Sequence, residues 1–402
     1  MIAYHYPPHF GGSGIHRIQS LQEHLTEEGW EVHMLTPHPR AYSATQNIPT
    51  TGIQHHSFAF NTSKHLSLYG KYFKFMALPD NWVSWWFSAV PLGLHLINKI
   101  KPDCIWSSYP IATTHLIALS LNKITKTPWV ADFRDPMVDA THPYDKQTRQ
   151  IYQWIEKKAI HRCQQAIFTT NSTQSLYKQK YPEISQEKYH VIENGYNESS
   201  FIHPIEYTTP STNEQTISIV HSGYVYPIER NPVNLIQALK HLILQKSIDP
   251  EKFSVSFRGD SNNSYLENLI KQHDLSHSIK LKELIPHTDA IDELYSHSAL
   301  LILQASNCNH QIPAKTYEYL RTGKPILAVT DLMGDTAQLL QHFKHCYLAD
   351  INNQASIEKM LLLFISDLNT SKISQPKAMD IKPLSREFRA KEMENVLIAS
   401  FK

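Results

Sequence analysis

Short apolar runs along the chain alternate with stretches in which apolar residues recur every three or four positions. Residues 2–6 and 31–36 have the pattern of strands, and residues 13–28 between them have helical spacing. The loop Gly11–Gly14 joins the first strand to this helix. The pattern predicts a β–loop–α–β unit in which the loop brings a ligand to the amino end of the helix.

The same alternation resumes after an irregular, aromatic-rich segment at residues 40–100. Further strands are predicted at 104–107, 129–133, 166–170, 189–192, 217–221, 253–257, 279–281, 300–303, 325–329 and 346–348. Further helices are predicted at 111–123, 145–163, 172–180, 232–245, 264–273, 289–297, 313–322, 335–342, 356–369 and 385–400.

A polar, proline-containing stretch at residues 203–215 has the composition of a linker. We therefore expect one domain at 1–205, a second at 206–380, and a C-terminal helix at 381–402 that returns to the first domain. The predicted fold class is α/β, with two doubly wound Rossmann-like domains facing each other across a cleft. Ligands of such sheets bind at the carboxyl ends of the strands.

Composition excludes several classes of protein. The 402 residues carry a net charge of +1, which gives no support for a nucleic-acid partner. The four cysteines are scattered, so neither a disulfide framework nor a zinc site is indicated, and no metal is predicted. The N-terminus lacks the pattern of a signal peptide, and no apolar run reaches the roughly 18 residues of a spanning helix. We expect a cytoplasmic location, and peripheral contact with the inner face of the membrane stays open as an alternative.

The predicted helix at 313–322 carries a cation where helices disfavour one. Pro313 suits the first helical position and Gly323 the left-handed position after the last turn. Lys315 in the first turn opposes the helix dipole, and a bound anion would reverse that effect. Glu318 lies on the same face, so a phosphate and a sugar hydroxyl would both find a partner here. The alternative is an ordinary Lys315–Glu318 surface pair.

Other polar residues at strand ends are candidates for the same site. Arg230 precedes a helix and, together with Lys315, would form a clamp for a diphosphate; a solvated arginine is the alternative. Arg134 and Asp135 follow the strand 129–133, where Asp135 would take a hydroxyl and Arg134 would fix its geometry. An internal Arg–Asp pair is the alternative, and it is the preferred interpretation for Asp132.

The glycine loop does not fit a dinucleotide site. Arg17 stands at the third glycine position, and no acidic residue ends the next strand. A loop that approaches a phosphate and a simple tight turn both remain open. Trp82, Trp85 and Trp86 are open to three interpretations: core, a rim for the acceptor, or a membrane-facing patch.

The order and spacing of these motifs resemble the retaining glycosyltransferases of family 4, which have the GT-B fold. The motifs that carry the resemblance are Tyr6-Pro7-Pro8, Gly11–Arg17, Pro79-Asp80 with Trp86, Pro128–Pro136, Glu193–Asn197, Ser222-Gly223-Tyr224 and Ile312–Leu320. The resemblance covers nearly the whole chain.

The resemblance implies a nucleotide-sugar donor on the second domain, an acceptor on the first, and no metal. Lys315 and Arg230 would stabilise the departing diphosphate, and Asp135 is a third catalytic candidate. The implied donor-binding residues are Gly12, Ser13, Gly14, Asn194, Gly223, Tyr224, Ile312 and Glu318. The implied acceptor-side residues are Arg17, Arg134 and Trp86.

Two positions depart from the family pattern. His310 stands where the family often has a first glutamate, and Tyr224 stands where it usually has an arginine. The expected function is a retaining transfer of sugar to the hydroxyl of a saccharide or lipid-linked acceptor, in bacterial surface polysaccharide or glycoconjugate synthesis. The alternatives are a non-catalytic nucleotide-sugar binder and a sugar-nucleotide epimerase on the same fold.

Overall fold

The structure is a computed structural model that describes residues 1–9, 14–46, 49–69, 71–140, 142–205, 216–370 and 372–402. Gly12 and Ser13 of the predicted glycine loop, and most of the predicted linker, lie outside these residues. The chain forms two compact units, Met1–Asn194 with Arg386–Lys402, and Gly195–Ser385. No described helix has the length and apolar character needed to cross a membrane.

The strands, numbered along the chain, are β1 (His33–Pro37), β2 (Ile53–Ser57), β3 (Ile105–Ser108), β4 (Trp129–Arg134), β5 (Gln165–Phe168), β6 (Tyr189–Val191), β7 (Ile217–Ser222), β8 (Phe253–Arg258), β9 (Ile279–Lys282), β10 (Ala299–Gln304), β11 (Ile326–Thr330) and β12 (Cys346–Asp350).

The α-helices are α1 (Gly14–Glu27), α2 (Thr62–His65), α3 (Ser84–Ile100), α4 (Ala112–Thr125), α5 (Lys146–Arg162), α6 (Asn171–Lys180), α7 (Val233–Leu244), α8 (Ser264–Gln272), α9 (His287–Ser296), α10 (Ala314–Thr322), α11 (Asp335–Leu340), α12 (Gln354–Asn369), α13 (Ala378–Ile381) and α14 (Arg386–Phe401).

The first unit is built on a parallel sheet. β3, β4, β5 and β6 pair in sequence order, and β1 pairs with β2. Ile2 bridges to both Leu35 of β1 and Ser107 of β3, so the first residues of the chain lie between these two strands. The predicted strand at 2–6 is therefore reduced to a single bridged residue, because the chain turns away after its contact with β1.

The second unit has a six-stranded parallel sheet with the order β12-β11-β10-β7-β8-β9. Its first strand lies in the middle, and successive strands are added outward first on one side and then on the other. This is the order of a doubly wound sheet, whose ligands bind where the direction of winding reverses. The parallel sheets in two units confirm the predicted α/β fold class.

Alternate residues of the central strands enter opposite cores. In β4, Trp129, Ala131 and Phe133 join one buried cluster, whereas Val130 joins another. In β10, Leu301 and Leu303 lie in one cluster and Leu300 and Ile302 in a second. Sheets buried on both faces show continuous apolar runs rather than alternation, which explains why these strands stood out in the sequence.

The aromatic-rich segment is more regular than expected. Residues 40–100 contain β2, α2 and the 17-residue α3. Pro91 lies inside α3, and aromatic residues cover more than one of its faces, so helical spacing is obscured. The expectation of an irregular segment was wrong for these elements.

The boundaries of the compact units differ from the predicted domain limits of 205/206 and 380/381. Tyr196 and Phe201 belong to a buried cluster of the second unit that also contains Val220, so residues after Asn194 pack with that unit. The C-terminal helix α14 belongs to the first unit and packs along α1. Glu394 of α14 accepts a hydrogen bond from Trp30 Nε1 at 2.8 Å.

Candidate active site

The reversal of winding in the second sheet lies between β7 and β10. The chain leaves β7 towards α7 and β8 on one side, and leaves β10 towards α10 and β11 on the other. The segments after β7 and β10 therefore run in opposite directions and leave space for a ligand at the carboxyl edge of the sheet. The predicted residues Gly223, Tyr224 and Arg230 follow β7, while Lys315 and Glu318 lie on α10.

Helix α10 confirms the predicted C-terminal end and begins one residue later than predicted, at Ala314. Pro313 is the N-cap, and Gly323 adopts the left-handed conformation at φ 71°. Lys315 lies in the first turn, and its Nζ is 3.1 Å from Nε2 of His221. His221 is fully buried, and its Nδ1 lies 2.9 Å from the carbonyl oxygen of Leu301. The carbonyl can only accept, so Nδ1 carries the proton and Nε2 accepts from the Lys315 ammonium.

The electrostatics around Lys315 disfavour its positive charge. Burial first, and then the positive charge of Arg230, lower the pKa of Lys315 well below its usual value, while Glu318 and Asp260 act in the opposite direction. Burial and the neighbouring Lys315 also hold the pKa of His221 well below its usual range. Two cations thus converge on a site that an anion would stabilise.

Gly223 allows the backbone to approach this ammonium. Its φ of 110° lies in the region that favours glycine, and a Cβ added there would be 2.9 Å from Lys315 Nζ. The Gly223 N–H donates to Arg258 O at 2.8 Å, and the Ser222 N–H donates to Tyr319 Oη at 2.8 Å. The end of β7 is therefore held on both sides, with its open face towards Lys315.

Arg230 is held near the same point by its own loop. Its Nη1 donates to the carbonyl oxygen of Tyr224 at 2.6 Å, and its guanidinium lies 5.2 Å from the ring centre of Tyr226. The Tyr224 side chain is 49% exposed, so it is available to a ligand. This arrangement makes Arg230 part of the same cationic site as Lys315.

Glu318 and Ile312 have different surroundings. Glu318 Oε1 lies 3.1 Å from Nε2 of His287 at the start of α9, and its side chain is largely buried. The Ile312 side chain belongs to a buried cluster with Leu300 and Leu320. Its side chain therefore supports the segment before α10 from the core.

In the first unit, Arg17 is a buried brace. Its guanidinium makes two hydrogen bonds of 3.1 Å to the carboxylate of Asp132 and also donates to the carbonyls of Ile192 and Glu193. The side chain is 5% exposed. The preferred interpretation of Asp132 as one half of an internal pair is confirmed, but its partner is Arg17. These contacts place Arg17 in the packing of α1 against β4 and β6, not on a surface for the acceptor.

Arg134 and Gly14 meet at the amino end of α1. Arg134 ends β4 with φ 55° beside a register shift, and its Nη1 donates to Tyr109 O at 3.2 Å. A Cβ on Gly14 would lie 2.5 Å from Arg134 Nη1, so an added side chain there would displace the Arg134 guanidinium. Burial raises the pKa of Asp135, and Arg134 opposes this shift. Burial, followed by Arg134, lowers the pKa of His5 to about 3.

The tryptophans divide between core and partial burial. Trp85 is fully buried and donates to Ser57 Oγ at 2.8 Å. Trp86 is half-buried, and its Nε1 donates to Ser120 Oγ of α4 at 2.9 Å. The contact with Ser120 ties Trp86 to helix packing. Asn194 is half-buried at the end of the first unit.

Sequence reasoning missed His221 and Tyr319, which hold Lys315 and the end of β7. A histidine at the end of the predicted strand 217–221, two residues before a glycine, was the available signal for His221. Tyr319 had no comparable signal, because an aromatic residue on a helix is usually core. The described residues contain no cluster of His, Cys, Asp or Glu arranged to hold a metal ion.

Comparison with known proteins gives one family and several similar structures. Residues 10–200 match the sequence model described as Glycosyltransferase Family 4. No curated protein sequence matches the chain significantly.

Sucrose-phosphate synthase from Thermosynechococcus elongatus has a similar fold, with a TM-score of 0.68 at 14% identity over 100% of this chain and 98% of that one. HepE from Anabaena, solved with UDP and glucose, has a TM-score of 0.64 at 13% identity over 98% of both chains. A structure described as a putative UDP-N-acetylglucosamine 2-epimerase from Listeria monocytogenes has a TM-score of 0.56 at 12% identity over 100% of this chain and 96% of that one. At these identities the likeness concerns the fold.

Proposed function

We propose that this chain, which has the GT-B fold, is a glycosyltransferase of the Family 4 type, and from that premise we derive its reaction. It transfers a sugar from a nucleotide-diphosphate-sugar donor to a hydroxyl acceptor, with retention of anomeric configuration. The acceptor is a saccharide or lipid-linked saccharide of a bacterial surface polysaccharide or glycoconjugate.

The observation that carries the proposal is the pair of cations at the reversal point of the second sheet. Burial and the neighbouring Arg230 lower the pKa of Lys315, and Gly223 lacks the side chain that would fill the space beside the Lys315 ammonium. A diphosphate supplies the opposite charge that this site lacks. HepE, which shares the fold, holds UDP and glucose.

In this reaction Lys315 and Arg230 stabilise the leaving group, which is the nucleoside diphosphate. As the bond between sugar and diphosphate breaks, negative charge develops on the diphosphate oxygens, and fixed cations stabilise that charge more than the ground state. The acceptor attacks on the same face through an oxocarbenium-like state, with the departing diphosphate as base. The Lys315–His221 hydrogen bond fixes the direction of the ammonium. Glu318 takes the hydroxyls of the donor ribose.

On the acceptor side the proposal uses Asp135 and Arg134. Asp135 follows Arg134 at the end of β4, and its raised pKa marks a carboxyl removed from water. It accepts a hydrogen bond from the acceptor hydroxyl, while Arg134 sets the geometry of the loop. Arg17 and Trp86 support this side through packing.

Thermal stability in a panel of nucleotide sugars tests the proposal. A ligand at 100 times its Kd stabilises a protein by about 2.7 kcal/mol, which for a unit of this size is a shift on the order of 5–10 °C. We expect one donor class to give such a shift and Lys315→Ala to lose it. Lys359→Ala, an exposed lysine on α12, is the matched control. A panel with no shift at any concentration refutes donor binding.

Turnover assays then distinguish the alternatives. His310, in place of a family glutamate, favours a non-catalytic binder; this alternative predicts donor binding without transfer or donor hydrolysis across a panel of acceptors. The epimerase alternative, suggested by the fold shared with the Listeria protein, predicts donor conversion without any acceptor. Transfer that requires an acceptor and retains configuration supports the proposed reaction over both.

A further inference from the structure

An exposed aromatic and basic loop projects from the first unit. We define the aromatic–basic loop as residues 64–69 and 71–75. The N–H of Leu68 donates to Lys71 O at 2.8 Å and the N–H of Lys71 donates to Leu68 O at 3.0 Å, so the backbone folds back on itself. Tyr69 follows Leu68 at this turn, with a φ of 50°, and is 97% exposed.

Large apolar side chains are concentrated on this loop. Leu68, Phe73 and Phe75 are more than 70% exposed, and Tyr72 is 40% exposed. The rings of Phe73 and Phe75 lie 5.8 Å apart. Scattered exposed apolar residues need no explanation, but a contiguous set of this size marks an interaction surface.

The charge of the loop indicates the kind of surface that it would bind. Residues 62–76 contain three lysines and no acidic residue, in a chain whose total net charge is +1. Lys64 and Lys71 are exposed on the loop itself. The surface is therefore complementary to a negative one.

We propose that the aromatic–basic loop docks the protein on an anionic lipid surface. Tyrosine and phenylalanine enter the boundary between headgroups and acyl chains, and lysines beside them meet the headgroup phosphates. A narrow turn with apolar side chains at its tip can enter this boundary. The docking is a property of the first unit and is independent of donor binding by the second.

Co-sedimentation of the full chain with vesicles tests the proposal. We expect binding to vesicles of 30% phosphatidylglycerol in phosphatidylcholine, no measurable binding to phosphatidylcholine alone, and release as salt rises. Loss of one lysine near the surface should weaken binding about fivefold, from about 1 kcal/mol per charge. Lys64→Gln/Lys71→Gln should therefore weaken it about 25-fold. Lys74 is left unchanged because it pairs with Asp145.

The apolar contribution has its own variant and control. Tyr69→Ser/Phe73→Ser should abolish binding, whereas Met333→Ser, an exposed apolar residue of the second unit, should bind as the wild type does. Equal binding of the loop variants and wild type, or equal binding to neutral vesicles, overturns the proposal. So does light scattering that shows a dimer lost in the loop variants, with no vesicle binding. Donor-induced thermal stabilisation, measured in parallel, must survive the loop substitutions, so a failed donor proposal is recognised separately.

Discussion

Gly223→Ala perturbs the candidate donor site at one defined point. The new Cβ would lie 2.9 Å from Lys315 Nζ and 3.6 Å from Lys315 Cε. The ammonium is the end of a flexible side chain, so it moves before the backbone does. That movement breaks the 3.1 Å contact with His221 that sets its direction.

Gly223→Ala has two energetic effects, backbone strain and the loss of a hydrogen bond, and a substitution at a second glycine distinguishes them. A non-glycine residue at positive φ costs about 1–2 kcal/mol of stability. Gly29 has φ 86° with nothing within 4 Å of an added Cβ, so Gly29→Ala shows backbone strain alone. A hydrogen bond to a charged group contributes about 1.5–3 kcal/mol, which is roughly a 10- to 150-fold change in affinity. We therefore expect both variants to lose stability and only Gly223→Ala to lose donor affinity.

Isothermal titration with the donor identified in the nucleotide-sugar panel measures the affinity, and circular dichroism on heating measures stability. If Gly223→Ala is destabilised but binds the donor as tightly as Gly29→Ala does, the ammonium of Lys315 is not at the diphosphate, and the assignment of this site is refuted. If both variants lose affinity equally, the loss comes from strain and carries no information on Lys315.

Three further outcomes follow from the structure. Lys315→Ala and Arg230→Ala should each lower kcat by about 10² or more, as the loss of one donor to a developing charge does, with Lys359→Ala unchanged; near-normal rates in both contradict the cationic clamp. A bound diphosphate should raise the lowered pKa of Lys315. Donor affinity should therefore be constant below the pKa of the free protein and weaken about tenfold per pH unit as pH rises between the free and the bound pKa. Titration with the donor at several pH values should show this slope in the wild type and a flat profile in Lys315→Ala. Arg17→Met leaves the buried Asp132 carboxylate without its ion-pair partner and with only the Ser108 hydroxyl donating to it, at a cost of about 3–5 kcal/mol. Adding Asp132→Asn should restore part of the melting temperature, and a double variant no better than the single one would argue against the pair.

The secondary structure was predictable where a strand is buried on both faces and where proline or glycine lies at the end of a helix. β4 and β10 enter cores on both faces, so their apolar runs are continuous. Helix α10 is bounded by Pro313 and Gly323; Gly323 acts as expected, whereas Pro313 is the N-cap and not the first helical residue. Helix α3 was not predicted because Pro91, a residue type that usually ends helices, lies inside it. The second unit was predicted to begin too late because the partners of Tyr196 and Phe201 are visible only in the folded core.

The candidate site was predictable as a set of residues at strand ends, but not as a network. Lys315, Arg230 and Gly223 were identified from their positions next to helix starts and a strand end. Their mutual approach is visible only in the structure, as is the neutral His221 that receives the Lys315 hydrogen bond. Arg17 followed a glycine loop in the sequence and was assigned to the acceptor, whereas the fold directs it into a buried pair with Asp132.

The sequence by itself determined the α/β alternation, the doubly wound class and the unfavourable cation in the first turn of α10. These properties are local, since they depend on the spacing of apolar residues, on glycine and proline, and on the dipole of a single helix. Only the tertiary structure decided which polar residues are braces and which line a site. Lys315 and His221 are 94 residues apart and Arg17 and Asp132 are 115 apart. Their charge states and contacts depend on burial and on neighbours that folding brings together.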